Sequence, residues 1–132
     1  MEVDSLRNPR LHASSHSHYT PTKAGILSLM QSCAVALGKY NIRANAVLPG
    51  TIETDINKED LSDAAKREAM IKRTVLGRLG GTCSSSGGCL LANRSTAPDD
   101  IAGPVVFLAS DLAKYVTGAQ ILTDGGLFVN LQ

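Results

Sequence analysis

TKAGILSLMQSCAVALGKYNIRANAVLPG, residues 22–50, is the stretch whose reading decides the fold. Ala24, Ile26, Leu27, Met30, Cys33, Ala34 and Leu37 recur at threes and fours, and Gly38 follows the last of them. That spacing predicts a buried helix from Thr22 to Leu37 with a glycine stop. IRANAVL, Ile42 to Leu48, is a short β-type run, and Pro49-Gly50 closes it because neither residue prolongs a strand. A helix running into a strand that ends in a loop is one step of an α/β chain.

Outward from that step, DLSDAAKREAMIK (Asp60 to Lys72) is strongly charged, with Leu61, Ala65, Ala69 and Met70 as one thin apolar stripe. It predicts a helix lying on the surface. Residues 81–97, GTCSSSGGCLLANRSTA, are Gly, Ser and Cys without a period, and no regular structure is expected there. Pro98-Asp99-Asp100-Ile101 reads as a first helical turn, with proline and two acids near exposed N–H groups, in a helix running to about Ser110. Gln120 to Thr123 is a last short strand before Asp124-Gly125-Gly126. The order helix, strand, helix, helix, strand is that of a parallel sheet with crossover helices.

The chain has 132 residues, enough for one domain. It is 43% hydrophobic and 19% charged, a globular composition. Thirteen Lys and Arg against twelve Asp and Glu give a net charge of +1 without single-sign blocks, so no nucleic-acid partner is expected. Ala24 to Gly38 is too short and too interrupted to cross a bilayer, and the polar first twenty residues carry no apolar leader. With three cysteines and no secretion signal, the expectation is a soluble, cytoplasmic protein with no membrane partner and no disulfide framework. Residues 1–18 have the composition of a disordered polar tail. His12, His16 and His18 with Cys83 and Cys89 lack the paired spacings of a zinc module, so no metal site is expected. Cys33, on the apolar helix face, reads as a core filler.

Tyr19-Thr20-Pro21-Thr22-Lys23 sets a tyrosine and a lysine four residues apart, on one face of a helix and about one turn from each other. Alone, such a pair is weak evidence. Followed in order by ALGKYNIRANAVLPGTIETDI, RLG and PDDIAGPVVFLASDLAKYVTGAQILTDGG, it resembles the short-chain dehydrogenase/reductase family. HYTPTKAGILSLMQ, LPGTIETDINKEDLSD and the ending DGGLFVNLQ are most similar to its fungal members that oxidise L-rhamnose.

The resemblance implies an α/β fold, the C-terminal half of a Rossmann-type parallel sheet, and NAD or NADP as cofactor. The implied reaction is oxidation of a sugar such as L-rhamnose at C1 to the lactone. Reduction of an oxoacyl-type carbonyl, or a non-catalytic oligomerising role, are the alternatives. Tyr19 is implied as the general acid/base and Lys23 as its partner, both also touching the cofactor. A phenol in water ionises near pH 10, and an ammonium nearby favours the phenolate, so this chemistry needs the two together. Pro49, Gly50, Ile52 and Thr54 match the loop that holds the nicotinamide carboxamide, and the 60–72 helix resembles a lid over the substrate. Intact members are implied to be homotetramers.

Two departures qualify this. No glycine-rich phosphate loop precedes Tyr19, so the N-terminal dinucleotide-binding strands are missing and cofactor binding by this chain is expected to be weak or absent. The position of the family's substrate-binding serine falls at Leu6. Residues 81–97 replace what the family spans with a single residue, and they have the composition of a translated intron. The expectation is a truncated partial domain over 19–132, inactive as written.

Overall fold

The computed structural model describes residues 19–81 and 99–130. The expected tail at 1–18 and nearly all of the insert, with its cysteines, lie outside them. Two compact units divide the chain: Met1–Leu48 with Val106–Leu122, and Pro49–Val105 with Thr123–Gln132.

In the first unit, α1 spans Tyr19–Leu37, three residues more at its start than the apolar period indicates. Leu37 ends it, but Gly38 is not the left-handed residue. A 3-10 turn over Gly38–Tyr40 intervenes, and Asn41 takes the left-handed conformation at φ 63°, its N–H bonded to Gly38 O. Asparagine tolerates that region better than other side-chain-bearing residues, so the stop lies three residues later than expected. Nor is α1 a buried helix. Ala34 is its one buried residue, while Ile26 is 55% and Val35 85% exposed. A helix of core composition lies largely in solvent because the residues described supply little to cover it.

Strand β1 is Ala46–Pro49, beginning four residues later than Ile42 and including Pro49. Residues 43–45 are occupied otherwise. The Arg43 guanidinium donates to Leu108 O at 2.6 Å and to Val116 O at 3.2 Å. The Asn45 amide donates to Val116 O, and its oxygen accepts from Ala119 N–H, both at 3.0 Å. These side chains pin the approach to β1 against the turn that leads into β2, Gln120–Thr123, whose bounds match the sequence reading. The two strands form a parallel ladder, with Ala46 N–H on Ala119 O and Gly50 N–H on Thr123 O.

In the second unit the single expected helix at 60–72 is two. After a 3-10 turn at Asp55–Asn57, α2 covers Lys58–Ser62 and α3 covers Ala64–Arg73. Asp63 makes the break: its backbone is extended, at φ −75° and ψ 110°, and its carboxylate accepts from Ala65 and Lys66 N–H as an N-cap. Helix α4, Asp99–Ala109, begins within a residue of its expected start and carries Pro104 in its interior.

Arg78 and Asp100 join the two described stretches. The guanidinium meets the carboxylate through two bonds of 2.7 and 2.8 Å, and the same carboxylate accepts Gly81 N–H at 2.9 Å. Gly81 is therefore fixed, although the composition reading puts it in the irregular stretch. The Arg78 hydrogen bond holds the Asp100 carboxyl below the ordinary carboxylate range, aided by the Gly81 N–H and opposed by desolvation. A depressed acid adds stability above its unfolded pKa of about 4 and loses it as pH falls through the folded value. Both side chains are about a third or more exposed. Asp100→Asn should therefore cost no more than about 1 kcal/mol at neutral pH. That difference should shrink as pH falls below the unfolded carboxylate range and disappear once Asp100 is protonated in the folded protein, as read from urea midpoints of the two proteins across pH.

Candidate active site

Tyr19 opens α1, and Lys23 follows one turn later because 3.6 residues per turn stack i and i+4. The Lys23 ammonium nitrogen lies 5.3 Å from the centroid of the Tyr19 ring, over its face, where the ring quadrupole attracts a cation. Tyr19 is 36% exposed and Lys23 half-buried, so the phenol is within reach of a solute and the ammonium is partly withdrawn from water. The first turn of α1 thus carries a phenol and an ammonium on one face.

Pro49, Gly50, Ile52 and Thr54 all fall in the second unit: Pro49 is the last residue of β1, and the other three lie on the segment that leaves it. Gly50 N–H is used by Thr123 O at 3.1 Å, and a Cβ at Gly50 would lie 2.7 Å from both Cα and Cβ of Asp124. The glycine is thus required by the approach of the residue that follows β2, a reason that the sequence reading, which placed it in a loop for the nicotinamide carboxamide, did not contain. Ile52 is buried and pairs with Gly80 in an isolated parallel bridge: Gly80 N–H donates to Thr51 O and Glu53 N–H to Gly80 O. Its carbonyl accepts the Asn57 side-chain amide at 2.9 Å. Ile52 therefore anchors the turn from inside, while Thr54 is exposed.

Asp124-Gly125-Gly126 is more than a turn. The Asp124 carboxylate accepts Gly126 N–H at 2.9 Å and Phe128 N–H at 2.7 Å, both glycines have positive φ, and Gly125 O accepts Leu76 N–H. Asn130 donates from its amide to Arg73 O at 2.8 Å, so the C-terminal segment holds the end of α3. Sequence reading missed these anchors, together with Arg43, Asn45, Glu53, Arg67 and the Arg78 to Asp100 pair. RLG and PDD were visible as motifs, but nothing in them told that they meet.

Lys23, in the first unit, carries an ammonium able to donate to hydroxyl groups, and Thr54, in the second, carries an exposed hydroxyl. Among the described residues, no glycine-rich turn opens a helix in the way that pyrophosphate binding uses. No helix among them is long and apolar enough to cross a membrane.

A family model described as enoyl-(acyl carrier protein) reductase matches residues 3–91 and 87–128, and the chain belongs to the short-chain dehydrogenase/reductase family. Over 116 residues it is 67% identical to an L-rhamnose 1-dehydrogenase (NAD(P)(+)) of Azotobacter vinelandii and 60% identical to an L-rhamnose-1-dehydrogenase of Scheffersomyces stipitis. Each match takes in 88% of this chain and 39% of the relative, in the relative's C-terminal part. Among solved structures, a gluconate 5-dehydrogenase from Burkholderia cenocepacia in complex with NADP and tartrate superposes with a TM-score of 0.70 at 30% identity. That match covers 86% of this chain and 38% of the other. The fold is thus the C-terminal part of a Rossmann-type dehydrogenase, as the resemblance implies.

Proposed function

We propose that this chain carries the proton-transfer part of an NAD(P)-dependent oxidoreductase that oxidises a sugar, L-rhamnose or a close analogue, at C1 to the lactone. The observation that carries the reading is the Tyr19 and Lys23 pair within a chain 67% identical, over 116 residues, to a relative named for that reaction.

Tyr19 Oη takes the proton of the anomeric hydroxyl as the C1 hydrogen departs with its electron pair and the carbonyl of the lactone forms. The nicotinamide, when bound, supplies the acceptor for that hydride. Lys23, its ammonium over the Tyr19 ring, offers N–H donors to ribose hydroxyls. Pro49, Gly50, Ile52 and Thr54 shape the turn for the carboxamide: Ile52 is its buried anchor, Gly50 lets β2 approach, and Thr54 presents its hydroxyl outward. Cofactor affinity of the 132-residue chain by itself is weak, because these contacts reach only the nicotinamide end.

The test is a chimera joining the N-terminal part of the Azotobacter vinelandii relative to this chain ahead of Tyr19. Production of NADH or NADPH that depends on L-rhamnose is the expected result. Consumption of NADPH with an oxoacyl substrate, and none of the former, would replace the sugar reading with the carbonyl-reductase one.

The exposed apolar residues of α1, Ile26, Leu29 and Val35, together with Phe128 and Val129 near the C-terminus, favour a second reading. In it the chain is a non-catalytic oligomerising fragment, docking onto intact relatives that assemble as homotetramers. Co-expression with such a relative tests it, and failure of the two to co-purify dismisses it.

A further inference from the structure

The segment after β1 and helix α3 are separate in sequence, yet one ion pair joins them. Arg67 on α3 donates from its guanidinium to Glu53 Oε1 at 2.5 Å, with 43% of the arginine and 25% of the glutamate side chain exposed. Asp63, one turn before Arg67, has its carboxylate engaged in capping α3. Both ends of α3 are breaks in helical geometry: Asp63 has ψ 110° and Thr74 ψ 122°. Two contacts at the far end are neutral, Asn130 on Arg73 O and Leu76 N–H on Gly125 O, and salt does not screen them in the way it screens a pair of charges. Around Glu53, the turn is tied to Gly80 and Asn57 by backbone and amide hydrogen bonds.

We propose that the Arg67 to Glu53 pair is a releasable latch, in which Arg67 acts through Glu53 as a positioning residue that makes α3 and the 51–54 turn loosen and order together. Its meaning for catalysis rests on the reading of 49–54 as the nicotinamide-side loop. The coupling itself does not. The helix C-terminus is the permanent anchor, Asp63 the hinge, and the ion pair the one of these ties that responds to ionic strength or to a competing charge. An anionic group arriving beside Glu53 would draw Arg67 away and free the turn and the helix in one event.

Amide hydrogen exchange on the whole chain, without cofactor or substrate, reads the coupling. The Glu53 and Gly80 amides report the turn, and the Arg67 and Thr74 amides report the helix and its end. Raising salt to about 1 M, where charges a few ångströms apart are screened, should speed both sets together by about three- to fivefold. Glu53→Gln and Arg67→Ala should each reach that faster exchange already at low salt and lose the salt response. The charge-swapped double variant, Glu53→Arg with Arg67→Glu, should restore slow, salt-sensitive exchange in both sets. Acceleration of the helix amides alone, a salt response that survives in the single variants, or a swap that restores nothing would each overturn the latch. Since no arm uses cofactor or sugar, its failure is distinguishable from failure of the oxidoreductase reading.

Discussion

Tyr19→Phe, placed in a chimera that supplies the cofactor-binding part, should lower L-rhamnose-dependent turnover by about 10²- to 10⁴-fold, the usual contribution of a positioned general acid/base. The ring stays, so the packing of the first turn of α1 and the Lys23 ammonium over the ring face are kept. Only the hydroxyl proposed to receive the proton is lost. The loss should therefore fall on kcat, with little change in KM for cofactor, as measured by steady-state reduction of NAD(P)+. A Tyr19→Phe protein with full kcat would move the proton transfer to another group.

Gly50→Ala should destabilise the chain by about 2–3 kcal/mol, because the added methyl would meet the Asp124 main chain and no flexible side chain can give way. Domains carry only about 5–15 kcal/mol in all. Buried hydrophobic residues here are few, Ala34, Leu48, Ile52, Leu79 and Ala113 among the described residues, so a cost of that size removes much of the margin. Gly38→Ala is the internal control: no atom lies within 4 Å of the added carbon and its φ is not in the left-handed region, so its effect should stay within about 1 kcal/mol. Equal urea midpoints for the two variants would show that the approach of β2 to Gly50 is not what requires the glycine.

Periodicity and turn chemistry made a good part of this structure legible. The 3.6-residue recurrence of Ala24 to Leu37 marked α1, the QILT run marked β2, and the four-residue spacing of Tyr19 and Lys23 put both on one helix face. Local conflicts were less visible. Asp63 sits inside a stripe that continues through Ala65 and Ala69, and the stripe gave no sign that its carboxylate would cap a new helix. Arg43 and Asn45 alternate with apolar residues as a strand would, yet their side chains take distant backbone groups and delay β1 to Ala46. Pairings across long separations, Arg78 with Asp100 or Asn130 with Arg73, depend on the fold as a whole. The exposure of α1 also follows from what surrounds it, since its own composition is that of a buried helix.

Calorimetric titration of NAD+ and NADP+ bears most directly on the division between a reacting end held by this chain and a phosphate-binding end supplied by the rest of the family fold. For the 132-residue chain, the few hydrogen bonds at the nicotinamide end must offset an association cost of at least about 4 kcal/mol. No saturable binding tighter than about 1 mM is expected, and binding should appear when the N-terminal part of the Azotobacter vinelandii relative is joined ahead of Tyr19. Saturable binding of either cofactor by the chain alone, below about 1 mM, would contradict that division.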